Sequence, residues 1–281
     1  MNNISKKIKL RLFRNNYSIG YKESVKNRVN LEWWNVKENV GDVISGIIYK
    51  WMLEQKNVDP DIPVKKTVHL MTVGSLIGMM PYDAVIWGSG IHTILTTNKI
   101  INNKNRVKFD IRAVRGPVTK HILNFCGYNC ENCCMGDPAV IMPLIYTPEE
   151  SEKKYKYSII RHLKNNDEPQ DSSAHYINVN TSDYKHFINE ICASELVLSS
   201  SLHGIILAEV YGVPAVFVNE NMDNELMKFY DWYFATGRQT VVIAESIEKA
   251  LAVTPMKLPD LSEMRKNLIK NFPYDLFENV R

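Results

Sequence analysis

The stretch LVLSSSLHGIILAEVYGVPAVFV, Leu196 to Val218, decides the fold. It consists almost wholly of core-forming residues, yet SSSLHG interrupts it. Leu196 to Leu198 reads as a short apolar strand, and Leu202 to Tyr211 as a helix apolar on nearly every side, hence buried. Gly212 and Pro214 stop that helix, because glycine supplies the left-handed position beyond it and proline cannot continue it. Ala215 to Val218 then becomes the next strand, so the polar break falls where a strand turns into a helix.

A helix N-terminus leaves backbone N–H groups unpaired and carries a partial positive charge, which makes such a junction a site for an anion. The same dipole biases His203 toward its neutral form and suits it to accept a proton near neutral pH. The plainer reading is a helix capped by Ser201 with His203 satisfied inside the core. The junction alone does not separate the two.

Working outward, strands and helices alternate. Strands are expected near Ile8 to Phe13, Thr67 to Thr72, Ala84 to Trp87 and Phe109 to Val114, with helices from Asp42 to Gln55 and Pro117 to Phe125. The composition turns polar and charged around LIYTPEESEKKYKY, Leu144 to Tyr157, which sets a boundary between residues 1–150 and 151–281. Beyond it the pattern restarts: strands at Tyr157 to His162 and His175 to Val179, a polar loop between them, and a helix from Ser182 to Cys192. After the opening stretch come a helix from Glu225 to Phe234, a strand at Thr240 to Ile243 and two terminal helices. This alternation predicts an α/β protein of two Rossmann-like domains facing across a cleft, with ligands at the carboxyl ends of the strands.

The other polar interruptions fall at similar junctions. NVGDVISGIIYKWM places Gly41 in a turn and Asp42 at the N-cap of an amphipathic helix. AVIWGSGIHT ends a buried strand in Gly88, Ser89 and Gly90, like a phosphate-cradling turn but without the full dinucleotide fingerprint. In FDIRAVRGPVTKHIL, Arg115 ends a strand, with Gly116 next and Pro117 at a favoured first helical position. Its guanidinium either grips a carboxylate or phosphate in the cleft with paired hydrogen bonds or makes an ordinary interdomain salt bridge. Lys228 and Asp231, three apart on one helix face, read as a surface ion pair.

The bulk numbers bound the class. With 45% hydrophobic and 23% charged residues in a chain of 281, a soluble globular protein is expected. A net charge of +3 gives no reason to expect nucleic acid as a partner. The basic run Lys6, Lys7, Lys9, Arg11 and Arg14 is either a solvated flank or a peripheral contact to an anionic membrane. No apolar stretch is long enough to span a bilayer, so a cytoplasmic protein is expected. Five cysteines, four of them within CGYNCENCC, do not form a secreted disulfide framework. The spacing of Cys126, Cys130 and Cys133 resembles the iron–sulfur motif of radical S-adenosylmethionine enzymes. That motif normally follows the first strand of a barrel, whereas this one follows a helix, so no metal is expected.

In order along the chain, NVGD, WGSG, RAVRGPVT, GDPAVIMP, IIRHLKNND, SSSLHGIILAEVYGVPAVFV and KFYDWY resemble the polysaccharide pyruvyl transferase family, from about Asn39 to Tyr233. The resemblance implies a GT-B-like pair of Rossmann domains that transfers the carbon skeleton of phosphoenolpyruvate to a saccharide hydroxyl pair as a ketal, releasing phosphate, without a further cofactor. It implies roles in the reaction for His203 and Arg115, and donor binding by Ser201, Leu202, Gly204 and Lys228. It places Asn39, Gly41, Asp42, Gly88, Ser89, Gly90 and His162 along the acceptor side or the cleft. Some members carry arginine where this chain has Ser201, so either Lys228 replaces that cation or the donor pocket differs. The saccharide would be free or lipid-linked, at the inner face of the membrane. A nucleotide-sugar glycosyltransferase would give similar junctions on the same fold. A third class, a non-catalytic saccharide binder, would use Trp33, Trp34, Trp232 and Tyr233 as stacking surfaces.

Overall fold

In the computed structural model, residues 25–34, 37–80, 82–148, 152–162, 174–220 and 225–278 are described. The strand expected at Ile8 to Phe13 and the polar loop after His162 lie outside them. Strands β1 (Val29–Glu32), β2 (Val68–Met71), β3 (Ala84–Trp87), β4 (Phe109–Val114) and β5 (Cys134–Met135) form one sheet, in that order and all parallel. Strands β6 (Ser158–Ile160), β7 (His175–Tyr176), β8 (Val197–Ser199), β9 (Ala215–Val218) and β10 (Ile243–Ala244) form a second parallel sheet, in the order β10-β9-β8-β6-β7. Both sheets are therefore of the α/β type expected, and the short runs VNLE, AVIW and AVFV are buried along their whole length, as parallel strands covered on both faces must be.

Helices connect the strands. They are α1 (Val40–Glu54), α2 (Ile94–Asn103), α3 (Pro117–Phe125), the short α4 (Met142–Ile145), α5 (Tyr184–Cys192), α6 (Leu202–Val210), α7 (Leu226–Ala235), α8 (Ile247–Leu251) and α9 (Ser262–Lys270). Helix α1 buries Ile44, Ile48 and Met52 completely, each contributing about 1.5–3 kcal/mol of hydrophobic transfer. Helix α6 is apolar on nearly all sides because it is enclosed: Ile205, Ile206, Leu207 and Ala208 are all fully buried.

Four strands and helices were not foreseen, the four-residue α4 among them. Strand β1 precedes an aromatic pair with no turn signal between, and β5 is only two residues long inside the cysteine cluster. Helix α2, ILTTNKIINN, is rich in β-branched and Asn residues of poor helix propensity, and is held by Thr96, Thr97 and Ile100 against the first sheet.

One apolar cluster runs from Ile44 and Trp87 through Ile205 and Phe217 to Trp232. The two sheets thus share a core. The terminal segment packs on β3 and α1: Trp87 Nε1 donates to the Leu268 carbonyl at 3.0 Å and Tyr274 Oη to that of Met52 at 2.6 Å. Phe272 packs edge-on against Trp87.

Candidate active site

In the second sheet the chain leaves β6 for β7 on one side and then crosses back to β8 on the other. Such a reversal opens a crevice at the carboxyl ends of the two strands. Its walls are the residues after β6, Arg161 and His162, and the residues after β8, Ser200 to His203.

The three serines are construction. Ser199 Oγ donates to the Ile160 carbonyl at 3.0 Å and accepts from the Ser201 backbone at 3.0 Å. Ser200 Oγ receives the His162 N–H at 2.9 Å, tying the two strand ends together. Ser201 caps α6 by accepting from Gly204 N at 3.4 Å. Gly204 is required because a side chain there would lie 2.5 Å from Ser199 Oγ.

His203 lies across the start of α1. A Cβ at Gly41 would lie 2.2 Å from its Nδ1, so only glycine admits the ring. Its Nε2 faces Asp137 Oδ2 at 3.7 Å, a charge pairing at longer than hydrogen-bond range. Neither atom has a hydrogen-bond partner among the described residues, and Asp137 is completely buried. The other carboxylate oxygen of Asp137 accepts from Ala139 N, which fixes its orientation. A buried carboxylate beside a ring nitrogen sets which nitrogen carries the proton, and leaves Nδ1 to exchange one.

A cavity of about 240 Å³ opens in front of this pair, lined by residues from both sheets: Asn39, Asp42, Gly74 and Ser75 on one side, His162, Ser201, Leu202, His203 and Lys228 on the other. Trp34, Leu76 and Met79 give it an apolar wall, and His92 and Glu225 complete the polar one. Glu225 Oε2 lies 3.2 Å from His92 Nε2 and 3.5 Å from His162 Nε2, and bonds the Lys228 ammonium. Burial alone would raise its pKa, but His92 and Lys228 outweigh that and hold the carboxyl well below the usual carboxylate range. Asp42 behaves oppositely. Burial pushes it up from 3.8 to about 7, with His203 and Lys228 nearby only partly offsetting that. Asn39, not Asp42, caps α1, accepting from Gly41 N at 2.9 Å.

Several expected site residues stand elsewhere. Arg115 is completely buried and does not line the cavity: Nε donates to Asp231 Oδ2 at 3.1 Å, one terminal nitrogen to Ser75 Oγ at 2.7 Å and the other to the Ile91 carbonyl at 3.0 Å. With its donors turned inward it grips Asp231 rather than a ligand. Asp231 also accepts from Thr119 N and Oγ1 at the start of α3, which pins α7 to the first sheet. Lys228 and Asp231 therefore form no ion pair with each other. Each has a different partner, and both are buried. Ser89 Oγ donates to the Gly74 carbonyl and accepts from Leu76 N, while Gly90 N bonds Gly74, so Gly88 to Gly90 brace the 74–77 loop from behind and do not line the cavity. Trp232 and Tyr233, fully buried, present no face to a sugar.

The residues not singled out from the sequence are Ser75, His92, Asp137 and Glu225. Two carried a signal: Asp137 lies in GDPA, and His92 lies two residues after the Gly88–Gly90 turn. Among the described residues no three His, Cys, Asp or Glu side chains converge to hold a metal ion, and Cys126, Cys130 and Cys133 are buried free thiols.

Two parallel α/β sheets sharing a core, with a histidine-lined cavity at a strand reversal, fit a Rossmann-like architecture. The chain belongs to the polysaccharide pyruvyl transferase family, whose sequence pattern matches residues 8–221, and it is a transferase. An uncharacterized protein of Acanthamoeba polyphaga mimivirus is 26% identical over 215 residues, covering 70% of this chain and 72% of its own. The crystal structure of an uncharacterized protein from Klebsiella pneumoniae subsp. pneumoniae NTUH-K2044 covers 88% of this chain and 100% of its own, at 16% identity and a TM-score of 0.49. No described helix is long and apolar enough to cross a membrane.

Proposed function

We propose that this transferase moves the pyruvyl unit of phosphoenolpyruvate onto two hydroxyls of a saccharide as a ketal, releasing phosphate, in the assembly of a surface polysaccharide. The observation that carries the reading is the His203–Asp137 pair at the head of α6, in a cavity of a size for a small acid. A saccharide hydroxyl must lose a proton as it adds to C2 of the donor, and a histidine oriented by a buried carboxylate is suited to take it. The N-termini of α6 and α1 stabilise the donor's negative charges with Lys228, and His92 and His162 lie within reach of the departing phosphate. Trp34, Leu76 and Met79 offer an apolar face for a sugar ring.

In this reading the halves 1–150 and 151–281 face each other in the GT-B manner, acceptor on the first and donor mostly on the second. The chemistry is proton and phosphoryl-ester chemistry, and we assign it no metal or organic cofactor. The acceptor is free or lipid-linked and the reaction is cytoplasmic, where phosphoenolpyruvate is made. The test is incubation with phosphoenolpyruvate and saccharide acceptors: phosphate should appear only when both are present, and carbon label from the donor should enter the saccharide as an acid-labile carboxylate. Consumption of a nucleotide sugar, with phosphoenolpyruvate neither bound nor used, would replace this reading with a glycosyltransferase.

A further inference from the structure

Among the described residues two carboxyls, Asp42 and Glu225, line the cavity and a third, Asp137, is buried behind His203, and their surroundings differ. Glu225 is surrounded by His92, His162 and Lys228, and Asp137 by Ala139 N and His203. Asp42 lines the cavity, yet makes no side-chain hydrogen bond or ion pair among the described residues. It sits in the first turn of α1, next to the glycine on which the His203 ring rests, and against Gly74, whose Cβ position would be 3.6 Å from Asp42 Oδ1. Its side chain is only partly exposed, at the cavity wall, and a carboxyl so placed with no donor to satisfy it favours the neutral, proton-bearing form. The groups facing it are His203 from α6, Lys228 and Glu225 at the start of α7, and His92 and His162 across the cavity.

We propose that Asp42 is the acid that protonates the methylene carbon of the donor, an assignment that rests on the pyruvyl-transfer reading above. Its O–H proton goes to C3, which becomes the ketal's methyl group, and C2 takes the positive charge. The first saccharide hydroxyl bonds to C2 as His203 accepts its proton. The bond from C2 to the phosphate oxygen then breaks, its electron pair leaving with phosphate, and the second hydroxyl closes the ketal while its proton leaves on that phosphate. His203 returns its proton to the Asp42 carboxylate, one residue from the glycine beneath its ring. Both hydroxyl protons are then accounted for, and no oxidant or reductant enters.

The test compares wild type, Asp42→Asn and Asp42→Glu with phosphoenolpyruvate and acceptor. Wild type in heavy water should place one solvent deuterium in the product methyl, and its turnover should fall as the pH rises through about 7. Asp42→Asn should bind phosphoenolpyruvate within about threefold of wild type while losing about 10²–10⁴ in kcat, and Asp42→Glu should recover part of the rate together with the alkaline fall. A folded Asp42→Asn protein with near-normal kcat and the same alkaline fall overturns the assignment, as does a wild-type rate that rises through pH 7. If wild type releases no phosphate from phosphoenolpyruvate with any acceptor, the underlying reading fails first, and the two failures are told apart by that control.

Discussion

The β4–α3 junction around Arg115 and the β8–α6 junction around His203 look alike in sequence: an apolar strand, a polar side chain, a glycine and a helix. Both side chains even lie on a glycine, since a Cβ at Gly90 would sit 2.3 Å from Arg115 Cζ and one at Gly41 2.2 Å from His203 Nδ1. Their surroundings differ. Arg115 is completely enclosed, its donors matched by Asp231, Ser75 and Ile91. The His203 side chain keeps 13% of its surface open and faces Asp137 at a distance longer than a hydrogen bond. A satisfied buried charge fixes structure, whereas a group left with unmet bonding capacity at a cavity is available for chemistry. The Arg115 junction therefore holds α7 in place, and α7 carries Lys228 and begins beside Glu225. One junction acts on the ligand and the other acts through its neighbour.

The comparison breaks first at His203. His203→Gln keeps the ring's approximate volume and a polar end but cannot exchange a proton, so turnover should fall by about 10²–10⁴ while the melting temperature stays within a few degrees. A folded variant with near-normal kcat would make the His203 junction as structural as the other. Next comes Arg115→Met, which leaves Asp231 charged and buried without its partner. Breaking such a pair should cost about 3–5 kcal/mol of stability, read as a lower urea midpoint. If instead the midpoint holds and only phosphoenolpyruvate affinity drops, Arg115 contacts the ligand and the contrast between the junctions dissolves.

Much of this was legible in the sequence because it is local. The strand at Ala84 to Trp87, the buried helix after SSSLHG and the stop at Gly212 follow from apolar period, caps and breakers within a few residues. Asn39, Asp42, His162, Ser201, Leu202 and His203 were singled out at polar breaks and Lys228 on a helix face, and all line the cavity. What was not legible is pairing across the chain. Arg115 and Asp231 are 116 residues apart and Ser75 is 40 from Arg115, so nothing near Arg115 announces that its charge is already taken. Glu225 looks like a surface residue until His92 and His162 are brought to it from two other loops. The weak helix α2 likewise exists through tertiary packing that overrides its residues' propensity.

The smallest expected effect sharpens the comparison from the side of stability. If enclosed charges at the Arg115 junction serve the fold, the unpartnered carboxyl at the His203 junction should work against it. The pKa of Asp42 stands at 3.8 in the unfolded chain and about 7 in the folded one, so between those values the folded state binds the proton more tightly. Its contribution is present in full below pH 4 and is lost as the pH rises through 7. Asn at this position has nothing to ionise. Asp42→Asn should therefore be more stable than wild type at pH 8, with a higher Tm, and the difference should close as the pH is lowered toward 4. Thermal melts of the two proteins across that range measure it directly. A variant that loses turnover yet gains stability only at high pH would mark Asp42 as a group kept for chemistry at the expense of the fold. An equal loss of stability at every pH would return it to the structural class of Arg115.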